Sequence, residues 1–97
     1  MATSPKIIKV QVDADPRLAV GIGGAVRYLA EAAGMSEEVC REFQQATVAA
    51  CDKAFQSGPT ATHLVEFLLA EDRLEVIVNS GAGAEPIRLA RHAGTPN

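Results

Sequence analysis

The sequence predicts an α+β fold, a two-layer α/β sandwich in the order β-α-α-β-β-(α), with helices on one face of a small, mostly antiparallel sheet. Three observations carry that expectation. The opening segment alternates apolar and polar residues, two long segments repeat apolar residues at helical spacing behind good N-caps, and two further apolar runs flank an acidic turn. Its 97 residues, 1–97, make one domain with a single core.

The elements follow in order. "KIIKVQVD" places Ile8, Val10 and Val12 on one face, so residues 6–13 form a strand. Asp15 and Pro16 start a helix: the carboxylate accepts from orphan amides, and proline suits the first helical position. Leu18, Ile22, Ala25, Val26, Leu29 and Ala33 follow at helical spacing until Gly34 stops the helix. Ser36 caps a second helix with Glu37 and Glu38 in its first turn, where the helix dipole favours negative charge. Its stripe is Val39, Phe43, Ala46, Thr47, Ala50 and Ala54, ended by "SGPTA" at 57–61. "THLVEFLLA" and "RLEVIVN" flank Glu71-Asp72 as an antiparallel hairpin. "EPIRLARHA" is expected to be a short helix from Pro86, before a disordered "GTPN".

Composition narrows the function classes. A net charge of −3, no Lys/Arg cluster and four aromatic residues argue against a nucleic-acid surface, which needs concentrated positive charge and stacking platforms. No apolar run reaches the length of a membrane span, and no signal-peptide core follows "MATSPK", so the chain reads as cytoplasmic. Cys40 and Cys51 sit eleven residues apart in one helix, roughly 16 Å along its axis, and cannot bridge. They read as small buried thiols. His63 and His92 lack zinc-ligand spacing, so no metal site is expected.

Two glycine-rich stretches invite a phosphate-loop reading. "GIGG" at 21–24 lies inside a helical pattern, not between a strand and a helix start, so it marks close packing instead. "VIVNSGAGAEP", residues 76–86, does follow a strand, and its glycines let the chain turn while exposing amides. Taken alone, Asn79 is a turn former and Lys53 a solvated helix-flank charge. His63, alternating with Val65, Phe67 and Leu69, reads as a core-edge or interface residue, and Glu66 as facing solvent or an assembly contact.

The order strand, helix, "EAAGMSEE", Ala-rich long helix, hairpin and "NSGAG" resembles the histidine-kinase-like (GHKL, Bergerat-fold) ATPase domain of anti-sigma-factor serine kinases, from about Lys6 to Gly83. In that family the second helix carries E-x-x-x-N and the strand after the hairpin ends in D-x-G-x-G. Here "AACDKA" places Ala49 at the Glu position and Lys53 at the Asn position, between Ala50 and Ala54; "NSGAG" places Asn79 at the Asp position with Gly81 and Gly83 retained. Ala49 offers no base, and Lys53 is a donor-only cation that repels a metal but can meet a phosphate. Asn79 keeps an acceptor oxygen without the charge that strengthens a bond to adenine. The family also continues into a lid and a second glycine motif, whereas fourteen residues follow Gly83 here, so the resemblance implies a C-terminally shortened domain.

The resemblance therefore implies a degenerate, non-catalytic regulator that acts by protein contact in sigma-factor partner switching, with no catalytic residue and no required cofactor. Its expected partner is a sigma factor or anti-anti-sigma factor. Any ATP or ADP is expected to bind weakly, without magnesium, at Lys53, Asn79, Gly81 and Gly83. The alternatives are an ATP-binding serine/threonine kinase with weak residual activity and a small structural α/β domain. A homodimer is expected, because Ile7, Leu68 and Ile77 alternate away from the core face and sheet edges are unpaired.

Overall fold

The computed structural model of the chain describes residues 5–94. Its elements are β1 (Lys6–Asp13), α1 (Pro16–Ala32), α2 (Glu37–Ser57), β2 (Thr62–Leu69), β3 (Arg73–Asn79) and β4 (Ile87–His92). The helix starts sit where short polar side chains can answer unpaired amides. The Asp15 carboxylate accepts from the Arg17 backbone N–H at 2.9 Å and from its guanidinium at 2.6 Å. Ser36 Oγ accepts from the Val39 N–H at 3.2 Å. At the far end of α1, Gly34 adopts φ +86°, while Gly34 N–H donates to Glu31 and Met35 N–H to Ala30, both at 3.0 Å. That pair of bonds is a Schellman stop, and Met35 and Ala30 are both buried beside it.

The two helices pack against each other because α1 presents almost nothing where they meet. A Cβ on Gly23 would lie 2.5 Å from Val48 Cγ2 and 3.3 Å from the Gln44 carbonyl, so only glycine allows this approach. The close packing expected of "GIGG" is therefore confined to its third residue; a Cβ at Gly21 or Gly24 meets nothing within 4 Å. Behind the helices lies a four-stranded sheet in the order β1-β2-β3-β4, antiparallel throughout. Its helix-side face is built of register rows: Val10-Val65-Val78-Ile87 and Ile8-Phe67-Val76-Leu89. Against these rows sit Ile22 and Val26 of α1 and Phe43, Ala50, Cys51 and Phe55 of α2. Both cysteines are free and buried, and burial pushes the Cys51 thiol up to about 11.

The expected helix at Pro86 is instead β4. "IRLARH" places Ile87, Leu89 and Arg91 on one face, and pairing with β3 satisfies its backbone along one side. Six residues are too few to make a stable helix without strong packing, and the open edge of β3 offers a better partner. Arg91 then anchors the strand to α2, meeting both Glu42 carboxylate oxygens at 2.8 Å and lying 5.1 Å over the Phe43 ring. A second correction concerns Ile77. It does point away from the helices, yet it is only 7% exposed, because β4 turns β3 into an interior strand and Ile77 lies in register between Glu66 and Arg88. Their aliphatic stems shelter it. Of "GTPN", Thr95, Pro96 and Asn97 lie outside the described residues.

Two measurements follow from these contacts. Gly21→Ala and Gly24→Ala are each expected to stabilise by about 0.5–1 kcal/mol through helix propensity, whereas Gly23→Leu costs about 2 kcal/mol or more by overpacking. Urea unfolding of the three variants checks the opposite signs. The second concerns Asp15, whose carboxyl is held down to about 2 by the Arg17 side chain and backbone N–H. A depressed folded-state value gives stability that is full above the unfolded carboxyl pKa of about 3.9 and lost as pH falls toward about 2. Asp15→Asn, which still caps, should trail the native chain at pH 7 by a gap that narrows below about pH 4 and closes only as pH falls through about 2; a gap independent of pH contradicts this.

Candidate functional site

The last turn of α2 and the connection between β3 and β4 meet at one end of the molecule, and a buried histidine ties them. His63 comes from the first half of β2 on the helix-side face, where alternation places it in line with Val65 and Phe67. Its Nδ1 accepts from the Gly81 N–H at 3.1 Å, and its Nε2 lies 2.9 Å from the Gly58 carbonyl. Since the Gly81 N–H can only donate, the proton of the neutral ring sits on Nε2 and is donated to Gly58. The Phe55 ring lies 5.2 Å away, centroid to centroid. Both backbone partners need to be glycine. A Cβ on Gly81 would run into the Thr62 carbonyl, and one on Gly58 would sit 2.8 Å from the Ala82 Cβ.

Between these segments lies a cavity of about 410 Å³. Lys53 and Ser57 line it from α2, Val78 forms its apolar floor, and Ser80, Glu85 and Pro86 close it from the loop. Its polar groups are thus an ammonium, two hydroxyls and a carboxylate. The Ser57 hydroxyl donates to the Lys53 carbonyl at 3.2 Å, and Ser80 Oγ accepts from the Ala82 N–H at 3.1 Å. Such a set can grip a small charged group through Lys53. It holds no histidine or cysteine at the cavity wall to activate a nucleophile, and among the described residues no group of three or more His, Cys, Asp or Glu side chains is placed to hold a metal ion.

The residues singled out by sequence separate here. Lys53 faces the cavity. Ala49, one turn earlier on α2, lines a different groove of about 560 Å³ between the helices, beside Arg27, Arg41 and Gln44. Asn79 shares the outer face of the sheet with Glu66, and its Nδ2 donates to Glu66 Oε1 at 2.9 Å and to the Leu64 carbonyl at 3.3 Å. Glu66 is half-buried and meets this amide rather than standing free. Gly81 and Gly83 shape the loop without lining the cavity, and Gly83 adopts φ +87°.

The glycine-rich connection itself is a closed turn. The Gly81 N–H goes to His63, the Ala82 N–H to Ser80 Oγ, and the Gly83 N–H to the Ser80 carbonyl at 3.3 Å. A phosphate cradle needs successive amides aimed at the ligand, and these three are bonded within the protein. Ser57, Ser80 and Glu85 were not visible from sequence because hydroxyls and carboxylates in loops carry no periodic signal. His63 did carry one: a histidine on the inward face of an alternating strand must find two partners. No protein-family model matches the sequence, and no curated protein matches it. Among the described residues, no helix is long and apolar enough to cross a membrane.

The clamp predicts an order of sensitivity. His63→Ala removes both bonds and leaves a cavity, and Gly81→Ala forces the loop off Thr62; each is expected to cost about 2–4 kcal/mol. Gly83→Ala, strained only by its positive φ, should cost about 1 kcal/mol. Urea midpoints rank the three, and a Gly83 variant as damaging as the other two would contradict the clamp.

Proposed function

We propose that the chain is a non-catalytic relative of the histidine-kinase-like ATPase domains of anti-sigma-factor kinases, working by protein contact as a regulator in sigma-factor partner switching. The observation that carries this reading is the outward surface of α1. Val20 is 61% exposed and Tyr28 71%, with Leu18 also exposed, and the uncrowded Gly21 and Gly24 lie on the same helix. An aromatic and a β-branched side chain held on a helix flattened by glycines suit a partner surface better than a solvated one. A purely structural domain has no need to leave them in water. The partner expected is a sigma factor or an anti-anti-sigma factor.

The α2 end of the molecule supports the non-catalytic half of the reading. The position at which the resemblance implies a base is Ala49, the one at which it implies a metal-holding amide is Lys53, and the loop amides are bonded internally. Phosphoryl transfer depends on positioned charge about the transferred group, and one lysine beside a carboxylate supplies little of it. A second reading is favoured by the cavity alone: about 410 Å³ with Lys53 and Ser80 at its wall can admit a nucleotide phosphate. This second reading is a nucleotide-binding domain with weak residual kinase activity.

Two experiments separate these readings. Calorimetric titration with ATP and ADP, with and without magnesium, is expected to show either no heat or weak binding that ignores magnesium and is lost in Lys53→Ala. Magnesium-dependent binding with phosphate transfer would favour the second reading. Titration against purified sigma factors and anti-anti-sigma proteins of the source organism is expected to find a partner whose affinity falls roughly thirtyfold in Val20→Asp or Tyr28→Ala, as for a central contact residue. Equal binding by both variants would remove α1 as the contact surface.

A further inference from the structure

The sheet has two edges, and they differ in kind. β4 is six residues long and carries the cations Arg88 and Arg91. Antiparallel self-pairing there would bring these cations together, and the inward Arg91 is already committed to Glu42. Charges used in this way protect an edge from pairing. β1 is eight residues long, contains no proline, and pairs with β2 without a break from Lys6↔Leu69 to Asp13↔Thr62. Along its other side the backbone has no strand partner among the described residues. Ile7 and Ile8 are 56% and 46% exposed, and as neighbours in a strand they point to opposite faces. The edge is therefore apolar on both faces at once. Ile8 lies on the helix side but remains open because the helices pack chiefly over β3 and β4.

The charges along β1 are segregated, with Lys6 and Lys9 toward its start and Asp13 at its end. An antiparallel copy of the strand complements it. With Gln11 on a two-fold axis, Lys9 falls opposite the partner's Asp13 on the outer face, and Val10 falls opposite the partner's Val12 on the helix face. Slipping to a centre on Lys9 sets two ammonium groups against each other, a centre on Val10 gives up both charge pairs by setting Lys9 opposite Gln11 and Asp13 opposite Ile7, and an axis between two residues sets apolar faces against polar ones.

We propose that β1 is a self-pairing edge: two copies of the chain join β1 to β1, antiparallel about a two-fold axis through Gln11, and merge their sheets into one. Such a contact is isologous, so it uses up both free β1 edges and closes at the dimer. It is independent of what the cavity holds and of the surface of α1.

Light scattering and sedimentation of the full chain over a micromolar concentration range test it. The expected mass at the upper end is twice the 10.2 kDa of the chain. Lys9→Glu and Asp13→Lys are each expected to weaken the dimer about tenfold or more, and the double variant to return to near the native value, because two attractive pairs become repulsive and then attractive again. Lys9 also neighbours Glu66 across β2, and the double variant keeps that change, so its recovery isolates the contact between copies. Gln11→Cys is expected to form a disulfide-linked dimer under mild oxidation much faster than Val20→Cys, with the buried Cys40 and Cys51 silent. A monomer at every concentration, a dimer indifferent to both single charge changes, or equal cross-linking at the two introduced cysteines would overturn the proposal. Monomer mass with β1 instead accepting an extended segment of another protein counts against it equally.

Discussion

The arrangement at the cavity end of this protein depends on one buried imidazole. His63 holds the Gly58 carbonyl on one nitrogen and the Gly81 amide on the other. It therefore fixes how the end of α2 and the β3–β4 connection sit relative to β2. A polar ring at a wholly buried site is tolerable because both nitrogens are partnered. The same bonds explain why the connection can be rich in small residues without being loose. Gly58 and Gly81 let backbone come within bonding reach of the ring, and Ala61 and Ala82 fill the remaining space.

That clamp also decides what the adjacent cavity can do. By drawing the Gly81 N–H inward it removes the first of the amides that a phosphate-cradling loop turns toward its anion, and the Ser80 hydroxyl and carbonyl take the next two. Recognition of a charged ligand is left to the Lys53 ammonium, a flexible point charge, rather than to a rigid set of dipoles.

The surface divides along similar lines. Arg91 ties β4 to α2 through Glu42 and Phe43, closing that side of the sheet, while β1 lies at the opposite edge with Ile7 and Ile8 open. α1 is pressed to α2 at Gly23 and so turns Val20 and Tyr28 to solvent. The exposed large apolar residues thus fall on β1 and α1, two elements whose other sides are committed to the core.

The amino-acid sequence by itself determined the two-layer architecture, the bounds of β1, both helix caps, the Gly34 stop and the β2–β3 hairpin, because each rests on local physics: alternation, helical period, a side chain within reach of its own amides, a backbone angle open to glycine. What lay beyond it was decided by partners far away in the chain. Residues 87–92 became a strand because β3 had an open edge and Glu42 a free carboxylate. Ile77 was buried by that same added strand, and Asn79 turned to Glu66 because strand parity, with Val78 facing the core, sends its neighbour to the other face. No window of sequence contains these pairings, since their free energy comes from contacts that exist only once the chain has closed on itself.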